Sequence, residues 1–361
     1  MNFDIIILGG GTAGSTAALG LARAGRHVAL IEANAKPRWR VGETLSAEAR
    51  PHLQALGVWE THLQSGHLAS HGTVSAWGWD ALIDQDHIHS PHGHAWQLDR
   101  PAFEAMLLRA AYDAGVTLLS GHPAQILTGP ANSSDGQWHL QAGGHQLTAA
   151  WLIDASGRRA AVARHLGIRR QMLDRLVAVH RVIPTSLSDR DSRTYLEAVA
   201  DGWWYSSLLP GRKRLISFQT DASLLPPDQT WRSPTEFALR FRKACQLTAQ
   251  FEKFQLPFDH PPALTSAHSG RIEQFSGPGW LAIGDAAMSL DPVTGHGLLK
   301  AIQSSRLATH TLLSATPEAL HAFETWNEQV WQQFCKEHHN CYAMETRWPT
   351  APFWQRRLAA F

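Results

Sequence analysis

The first 32 residues constrain the fold of this chain more than any other segment. The apolar run FDIIIL (residues 3–8) is followed at once by GGGTAG (residues 9–14), and an Ala- and Leu-rich stretch then leads to a second apolar run that ends at Glu32. A strand, Gly-x-Gly-x-x-Gly, a helix, a second strand and an acidic residue in this order are typical of a dinucleotide-binding βαβ unit. The sequence therefore predicts a parallel α/β start with a phosphate site after the first strand.

The residues of that turn have separate physical roles. Gly9 permits the tight turn, Gly11 lets the backbone approach a pyrophosphate, and Gly14 lets the helix pack close to the strand. The helix N-terminus offers free N–H groups and the positive end of its dipole to the phosphates. Glu32 can accept a hydrogen bond from a ribose hydroxyl. The predicted dinucleotide contacts are Gly9, Gly11, Thr12, Ala13, Gly14 and Glu32.

Composition and charge exclude several classes of protein. The chain has 361 residues, of which 44% are hydrophobic and 17% charged, with a formal net charge of +1. This balance is typical of a soluble globular protein and gives no electrostatic reason to bind nucleic acid or anionic lipid. No apolar stretch approaches roughly 18 residues, so we expect no signal peptide and no transmembrane helix. The three cysteines have no metal-ligand spacing, which favours reduced thiols and a cytoplasmic location.

Later segments leave the βαβ pattern and then return to it. Several runs between residues 176 and 220 alternate well enough for an antiparallel sheet, whereas WLAIGDA (residues 280–286) again reads as a buried strand and its end. The sequence thus predicts an α/β fold in which a Rossmann-like domain is interleaved with an antiparallel β-sheet substrate domain. The predicted parts are a nucleotide-binding domain of residues 1–66, 95–172 and 268–312, a substrate domain of residues 67–94 and 173–267, and a C-terminal helical segment of residues 313–361.

Two further motifs identify the proteins that the chain resembles. DASG (residues 154–157) and GDAA (residues 284–287) each end a predicted strand. Together with the N-terminal glycines they follow the order seen in FAD-dependent class A monooxygenases and flavin-dependent tryptophan halogenases. The resemblance implies FAD as the cofactor, in a domain of the p-hydroxybenzoate hydroxylase (GR2) type. It assigns Arg40, Arg100, Asp154, Gly284 and Asp285 to FAD binding.

Within that set, the resemblance implies that Asp285 binds the ribityl or ribose hydroxyls of FAD. It also implies that Arg40 and Arg100 lie near the FAD phosphates and the adenosine side. A helix cap for Asp285 and a solvated surface position for each arginine are the alternatives. No second Gly-x-Gly-x-x-Gly follows a strand, so we predict no separate domain for a nicotinamide nucleotide.

The segment DPVTGHG (residues 291–297) precedes another predicted helix. In the proteins that the chain resembles, such a loop sets backbone N–H groups and a helix N-terminus against the flavin N1 and C2 oxygen, where they stabilise the negative charge of reduced flavin. An ordinary glycine-rich turn is the alternative. The predicted flavin contacts here are Pro292, Gly295, His296 and Gly297.

Other motifs resemble one branch of the halogenase-related flavoproteins. They are GETL (residues 42–45), SAWG (75–78), GHAWQLDR (93–100), GWWYS (202–206) and the segment from Arg347 to Trp354. The branch contains the LodB- and GoxB-like flavoproteins, which mature quinone-cofactor amino-acid oxidases by oxygenating a precursor tryptophan that becomes part of cysteine tryptophylquinone. The resemblance therefore implies a precursor quinoprotein amino-acid oxidase as the partner, and it adds Glu43 and Thr44 to the cofactor contacts.

The same comparison disfavours a halogenase. Halogenases need an active-site lysine to carry the halogen from flavin to substrate, and this chain has no lysine between Lys36 and Lys213. They also place a glutamate in the loop after GDAA, where this chain has Thr294. Direct oxygen transfer from a flavin C4a-hydroperoxide is therefore the favoured chemistry.

Candidate catalytic residues are few. His94 or His296 could act as a base, because imidazole titrates near neutral pH, and Thr294 takes the place of the halogenase glutamate; a structural hydrogen bond is the alternative for each histidine. The predicted walls of the substrate cavity are Trp77, Trp96, Trp203, Trp204 and Tyr205. A place in the core is the alternative for each of these rings.

A cluster of histidines suggests metal binding, but its spacing argues against it. His87, His89, His92 and His94 lie close in sequence. No acidic or thiol partner has helpful spacing, and a flavin monooxygenase needs no metal. We therefore predict no metal site.

The sequence as a whole predicts an FAD-dependent monooxygenase that hydroxylates an indole ring. O2 would be the co-substrate, and NAD(P)H binding transiently, or another protein, would be the reductant. Three alternatives stay open: a hydroxylase of small aromatic molecules, a reductase of unsaturated lipids, and a flavoprotein that chaperones its partner without catalysis. The oligomeric state is not predicted.

Overall fold

The computed structural model describes residues 1–86 and 90–359, so His87 and His89 of the predicted histidine cluster lie outside the described residues. Its strands are β1 (Asn2–Leu8), β2 (Val28–Glu32), β3 (Thr44–Leu45), β4 (Leu68–Ser70), β5 (Gly72–Ala76), β6 (Ile83–Asp86), β7 (Ala95–Gln97), β8 (Thr117–Ser120), β9 (Gln125–Thr128), β10 (Trp138–Ala142), β11 (His145–Asp154), β12 (Arg170–Met172), β13 (Leu176–Pro184), β14 (Thr194–Val199), β15 (Gly202–Leu209), β16 (Lys213–Asp221), β17 (Ala263–Ser266), β18 (Gly270–Ile272), β19 (Ser276–Gly277), β20 (Trp280–Ala282) and β21 (Met288–Ser289). Its helices are α1 (Thr12–Arg23), α2 (Ala49–Ala55), α3 (Trp59–Gln64), α4 (Arg100–Asp113), α5 (Ala161–His165), α6 (Pro234–Phe241), α7 (Cys245–Phe251), α8 (Gly297–Ser314), α9 (Pro317–Ala343) and α10 (Pro352–Ala359).

A mostly parallel sheet carries the N-terminal glycines. Its strand order is β19-β20-β11-β1-β2-β8, and β9 and β10 extend β11 as antiparallel strands. β1 pairs in parallel with both β2 and β11. Ile6 and Ile7 face opposite sides of β1 and are both fully buried, as a central parallel strand requires. The predicted Rossmann-like α/β arrangement is confirmed.

A second large sheet is inserted between the parts of the first. Its strand order is β17-β13-β16-β15-β14-β5-β6. The neighbouring strands are antiparallel except for β14 and β5, which pair in parallel. Two small sheets, β3-β7-β4 and β12-β18-β21, complete the strand pairing of the described residues. The predicted interleaving of a nucleotide-binding sheet with a mainly antiparallel sheet is confirmed, and the exact domain boundaries stay a prediction.

Apolar clusters cover both faces of this second sheet. On one face Trp204 and Phe218 pack against Phe237 and Phe241 of α6. The rings on the other face belong to Trp203 and to the C-terminal residues Tyr342, Phe353 and Trp354. Successive residues of a strand face opposite sides, so Trp203 and Trp204 stabilise two different layers. No described helix has both the length and the apolar content that a bilayer span requires.

Candidate functional site

The turn between β1 and α1 is built so that two glycines cannot carry a side chain. Gly9 has φ +110°, and a Cβ there would overlap the carbonyl oxygen of Ala155. A Cβ on Gly14 would overlap the carbonyl oxygen of Gly9. At Gly11, by contrast, the nearest atom is the Arg40 guanidinium, 3.7 Å from an added Cβ. The outer side of the turn at Gly11 therefore has room for a phosphate group beside an arginine.

Glu32 holds this turn from the end of β2. Its carboxylate accepts hydrogen bonds from the backbone N–H of Gly10 at 2.7 Å and from the backbone and side chain of Asn34 at 2.8 Å. Partial burial alone would raise the pKa of Glu32, but these hydrogen bonds outweigh it and the pKa is lowered. A contact of this ionised carboxylate with a ribose hydroxyl stays a prediction.

A glutamate that the sequence analysis missed organises the two predicted arginines. Glu104 is 1% exposed and bonds Arg40 at 2.8 Å and Arg100 at 2.6 Å. Arg100 is itself buried and also donates to the carbonyl oxygen of Gly42. Arg40 remains half exposed beside Gly11. Arg40 thus leaves part of its guanidinium accessible beside Gly11, whereas Arg100 supports the neighbouring loop; a phosphate contact of Arg40 stays a prediction.

Asp154 serves the turn that follows β11. One carboxylate oxygen accepts from the backbone N–H and hydroxyl of Ser156, at 3.0 and 2.6 Å, and the other accepts from the backbone N–H of Val162 at 2.7 Å. Asp154 is fully buried, and burial raises its pKa. The Asp154 carboxylate therefore stabilises the turn beside Gly9 through hydrogen bonds to the protein itself.

The GDAA segment lies directly against α1. Gly284 has φ +57°, and a Cβ there would come within 2.8 Å of the Ala13 side chain. Helix α8 locks the contact, because Ser304 accepts from the Gly284 N–H at 3.1 Å and Ser305 donates to the Ala13 carbonyl at 2.8 Å. Two motifs that are 270 residues apart in sequence therefore form one surface, and the Asp285 carboxylate, 40% exposed and 3.7 Å from Arg158, lies on it.

The loop of residues 291–297 is anchored to the protein through Asp291 and is open at its glycines. Asp291 is 1% exposed and accepts from the Val293 N–H at 2.9 Å, from the Tyr342 hydroxyl at 2.9 Å and from His338 Nε2 at 3.2 Å. Apart from the adjacent residues and the backbone of α8 itself, no atom of the described residues lies within 4 Å of a Cβ added at Gly295 or Gly297. The backbone can therefore be approached closely at the start of α8, where Pro292, Gly295, His296 and Gly297 are all exposed.

The candidate catalytic residues of this loop make few contacts. The Thr294 hydroxyl donates to the Asp291 carbonyl at 3.2 Å. His296 is half exposed, with Nδ1 3.7 Å from a carboxylate oxygen of Glu337. His296 therefore lies at the surface of the loop, and its role as a base stays a prediction.

A polar network joins the large second sheet to the small β3-β7-β4 sheet near the predicted cofactor contacts. The Tyr205 hydroxyl contacts Thr44 at 2.9 Å and donates to Glu43, which also accepts from Ser207 at 2.8 Å and from the Gly42 N–H at 2.9 Å. Glu43 is 1% exposed. Burial, together with the Glu43 charge, raises the pKa of Tyr205 well above its usual value. Tyr205 is therefore a protonated hydrogen-bond donor.

The predicted wall tryptophans lie in different environments. Trp203 donates to the Tyr342 hydroxyl at 3.0 Å, and Trp77 donates to the Cys341 carbonyl at 2.7 Å. Both belong to the cluster formed with the C-terminal helices. Trp204 is fully buried on the other face of β15 and packs as a core residue there, so its ring lies on the opposite side of the sheet from those of Trp203 and Tyr205.

Trp96 and His94 belong to a third environment, a cluster of histidines and aromatic rings. The ring centres of His94 and Trp96 lie 4.5 Å apart, those of Trp96 and His62 4.9 Å, and those of His62 and His67 4.8 Å. His94 Nδ1 lies 3.0 Å from the Ala95 carbonyl. These contacts tie both residues to α3 and its following loop.

This cluster predicts acid-sensitive stability. His62 is fully buried with neither ring nitrogen hydrogen-bonded among the described residues, and burial lowers the pKa to about 3 for His62 and about 4 for His67. Below pH 6.5 the unfolded chain binds protons that the folded chain does not, so stability falls as the pH falls toward 4. We expect a loss of about 1.5 kcal/mol per histidine between pH 6.5 and 5, measured by urea unfolding.

The matched variant is His62→Phe, which cannot take up a proton. Its free energy of unfolding should depend less steeply on pH over the same interval. Parallel pH dependence in the native protein and the variant would contradict the assignment to His62.

Comparison with known proteins agrees with this geometry. Residues 2–334 match the family described as the FAD binding domain. The chain belongs to this FAD-binding family. The flavoprotein is thus an FAD-dependent oxidoreductase, and the open backbone at Gly11, Gly295 and Gly297, with Arg40 and Asp285 beside it, fits the extended cofactor.

Three similar proteins define the relationship further. LodB of Marinomonas mediterranea, whose name describes an FAD-dependent oxidoreductase, is 27% identical over 99% of the flavoprotein and 97% of its own length. The structure of CmlS, a flavin-dependent halogenase, has a TM-score of 0.86 and 24% identity, and the match covers 99% of the flavoprotein and 68% of CmlS. The structure of QhpG, a peptidyl tryptophan dihydroxylase essential for tryptophylquinone cofactor biogenesis, has a TM-score of 0.80 and 23% identity, over 99% of the flavoprotein and 79% of QhpG. The resemblance to LodB-like, halogenase-related flavoproteins is confirmed.

Proposed function

We propose that the flavoprotein is a monooxygenase that hydroxylates the indole ring of a tryptophan in a precursor quinoprotein amino-acid oxidase. The observation that carries the proposal is Thr294. By resemblance, Thr294 stands where halogenases have a glutamate, and its hydroxyl donates to the Asp291 carbonyl at 3.2 Å. The absence of lysine between Lys36 and Lys213 also argues against a halogen relay.

The relatives support a protein substrate. The match with LodB runs almost from end to end in both chains. QhpG, which shares the fold, is named for hydroxylating a peptidyl tryptophan. A precursor oxidase is therefore the partner that we propose.

In the proposed reaction one atom of O2 enters the ring and the other leaves as water. A reductant such as NAD(P)H or another protein supplies two electrons, and two protons are taken up to form the water. Bound FAD would supply the oxygen activation. The chain's own residues would bind the cofactor, orient the substrate and exclude water from the site. Among them the protonated Tyr205 and the buried Glu43 would fix the backbone of residues 42–44 at the cofactor edge.

The experiment is co-expression of the precursor oxidase with the native flavoprotein, with Asp285→Ala, or with neither. Mass spectrometry of the tryptophan peptide should show the added mass of one oxygen atom per hydroxylation only with the native protein, and isotopically heavy O2 should be incorporated. Asp285→Ala is expected to reduce the modified fraction at least tenfold, because FAD loses a hydrogen-bonded carboxylate worth about 1.5–3 kcal/mol.

Two results would contradict the proposal. An unmodified tryptophan, together with hydroxylation of free indole by the purified flavoprotein, would favour a small-molecule hydroxylase. Modification that is equal with native protein and with a variant shown to lack FAD would favour a chaperone.

A further inference from the structure

Lys300 is a buried cation behind the GDAA turn. It is 3% exposed, and its Nζ donates to the carbonyl oxygens of Gly284, at 2.9 Å, and Met288. No ion pair among the described residues includes it, whereas the nearby Asp285 carboxylate pairs with Arg158. Removing an ammonium from water costs several kcal/mol unless an opposite charge compensates. The carbonyl contacts satisfy two of its three N–H groups and leave the charge without a contacting anion.

The position of Lys300 on its helix adds a second cost. Helix α8 begins at Gly297, and the backbone N–H of Lys300 donates to the His296 carbonyl at 2.9 Å. Lys300 therefore lies in the first helical turn, where the macrodipole disfavours a cation. Neither burial nor helix stability accounts for a lysine at this position.

Arg170 approaches the same turn from another element. Its guanidinium donates to the Asp285 carbonyl at 3.1 Å and to the Ser289 hydroxyl at 2.9 Å. Lys300 and Arg170 together bind the carbonyl oxygens of residues 284, 285 and 288. The backbone oxygens of the turn thus face two cations, while the Asp285 carboxylate remains exposed for the cofactor.

The turn held in this way joins the two predicted flavin contacts, Asp285 and the loop of residues 291–297. We propose that Lys300 is a positioning residue that fixes this turn and adds a positive charge that favours reduced, anionic flavin over neutral, oxidised flavin. The assignment depends on FAD binding and not on the identity of the substrate. The same charge would reinforce the positive end of helix α8 at the flavin.

The protonation state of Lys300 agrees with this role. Burial lowers the pKa of Lys300 to about 8, with Asp285 opposing and Arg170 and Arg158 adding to the effect. The ammonium form is therefore the main form at neutral pH. A negative charge on the flavin would stabilise it further.

The test uses three variants that separate the charge from the hydrogen bonds. Lys300→Gln keeps two N–H donors without charge, Lys300→Met keeps neither, and Lys300→Arg keeps the charge. Affinity for oxidised FAD is measured by fluorescence titration, and the midpoint potential of bound FAD by equilibration with a reference dye. The native protein is measured alongside.

We expect the preference for reduced over oxidised FAD to be about tenfold weaker in both neutral variants than in the native protein. The midpoint potential of bound FAD would then be about 30 mV lower, since FAD reduction is a two-electron couple. Lys300→Arg should keep the native potential, and Lys300→Met should also bind oxidised FAD more weakly than Lys300→Gln. A native potential in both neutral variants would overturn the proposal. If neither neutral variant binds oxidised FAD but Lys300→Arg does, the charge acts on cofactor binding and the redox assignment is wrong. If the co-expression experiment shows no tryptophan hydroxylation but the Lys300 variants behave as expected here, only the proposed function is contradicted.

Discussion

We expect Gly14→Ala to abolish FAD binding and to destabilise the fold by about 3 kcal/mol or more. The added Cβ would overlap the carbonyl oxygen of Gly9, and a backbone atom cannot move aside as the end of a flexible side chain can. Helix α1 would have to move away from β1, and this movement would also separate Ala13 from Gly284. The measurements are the flavin absorbance of the purified protein and urea unfolding of the apoprotein.

Gly11→Ala is the matched control. An added Cβ at Gly11 lies 3.7 Å from its nearest neighbour, a guanidinium nitrogen of Arg40, and Gly11 has φ −73°. The apoprotein should therefore keep its stability within about 1 kcal/mol, whereas FAD affinity should fall because the methyl group occupies space near the phosphates. Native FAD affinity in Gly14→Ala, or in Gly11→Ala, would contradict this account of the turn.

The second large effect is expected for Asp291→Ala. The substitution removes the buried carboxylate that accepts from the Tyr342 hydroxyl, from His338 Nε2 and from the N–H of Val293. Each buried hydrogen-bonding group left unsatisfied costs about 1–3 kcal/mol, so we expect a total loss of about 3 kcal/mol or more, and the loop of residues 291–297 loses its support. We expect this loss in urea unfolding, together with FAD affinity at least tenfold lower.

Tyr342→Phe removes one of these hydrogen bonds and keeps the ring. Its expected cost is about 1 kcal/mol, with FAD affinity close to native. An Asp291→Ala protein that is no less stable than Tyr342→Phe would show that Asp291 is not the anchor of the loop.

The sequence allowed the nucleotide turn and the order of the motifs to be predicted, because their constraints are local. Gly9 and Gly14 act within six residues of each other, and the strands on either side have clear apolar patterns. The interleaving of two sheets was predicted from the positions at which those patterns change. The matches to the FAD-binding family and to LodB agree with the predicted family and cofactor.

The chemistry of individual side chains was less accessible, because it depends on distant partners. Arg100 and Asp154 lie at motif positions, and their hydrogen bonds hold loops of the protein itself. Strand alternation shows that Trp203 and Trp204 face opposite sides, yet it cannot tell which side meets the cofactor domain. Signals for the missed residues existed: Glu104 follows Arg100 by four residues on one helix, and Lys300 is an isolated charge within LLKAI.

The burial of Arg357 has a consequence for the order in which the protein is completed. Its side chain is 2% exposed, bonds Asp221 at 2.7 Å and packs over the rings of Phe353 and Tyr342, and Tyr342 in turn holds Asp291. During synthesis the glycine turn leaves the ribosome first, but the flavin loop gains its support only when α9 and α10 have followed. The contacts that support the loop of residues 291–297 are therefore complete only after the C-terminal helix has been translated.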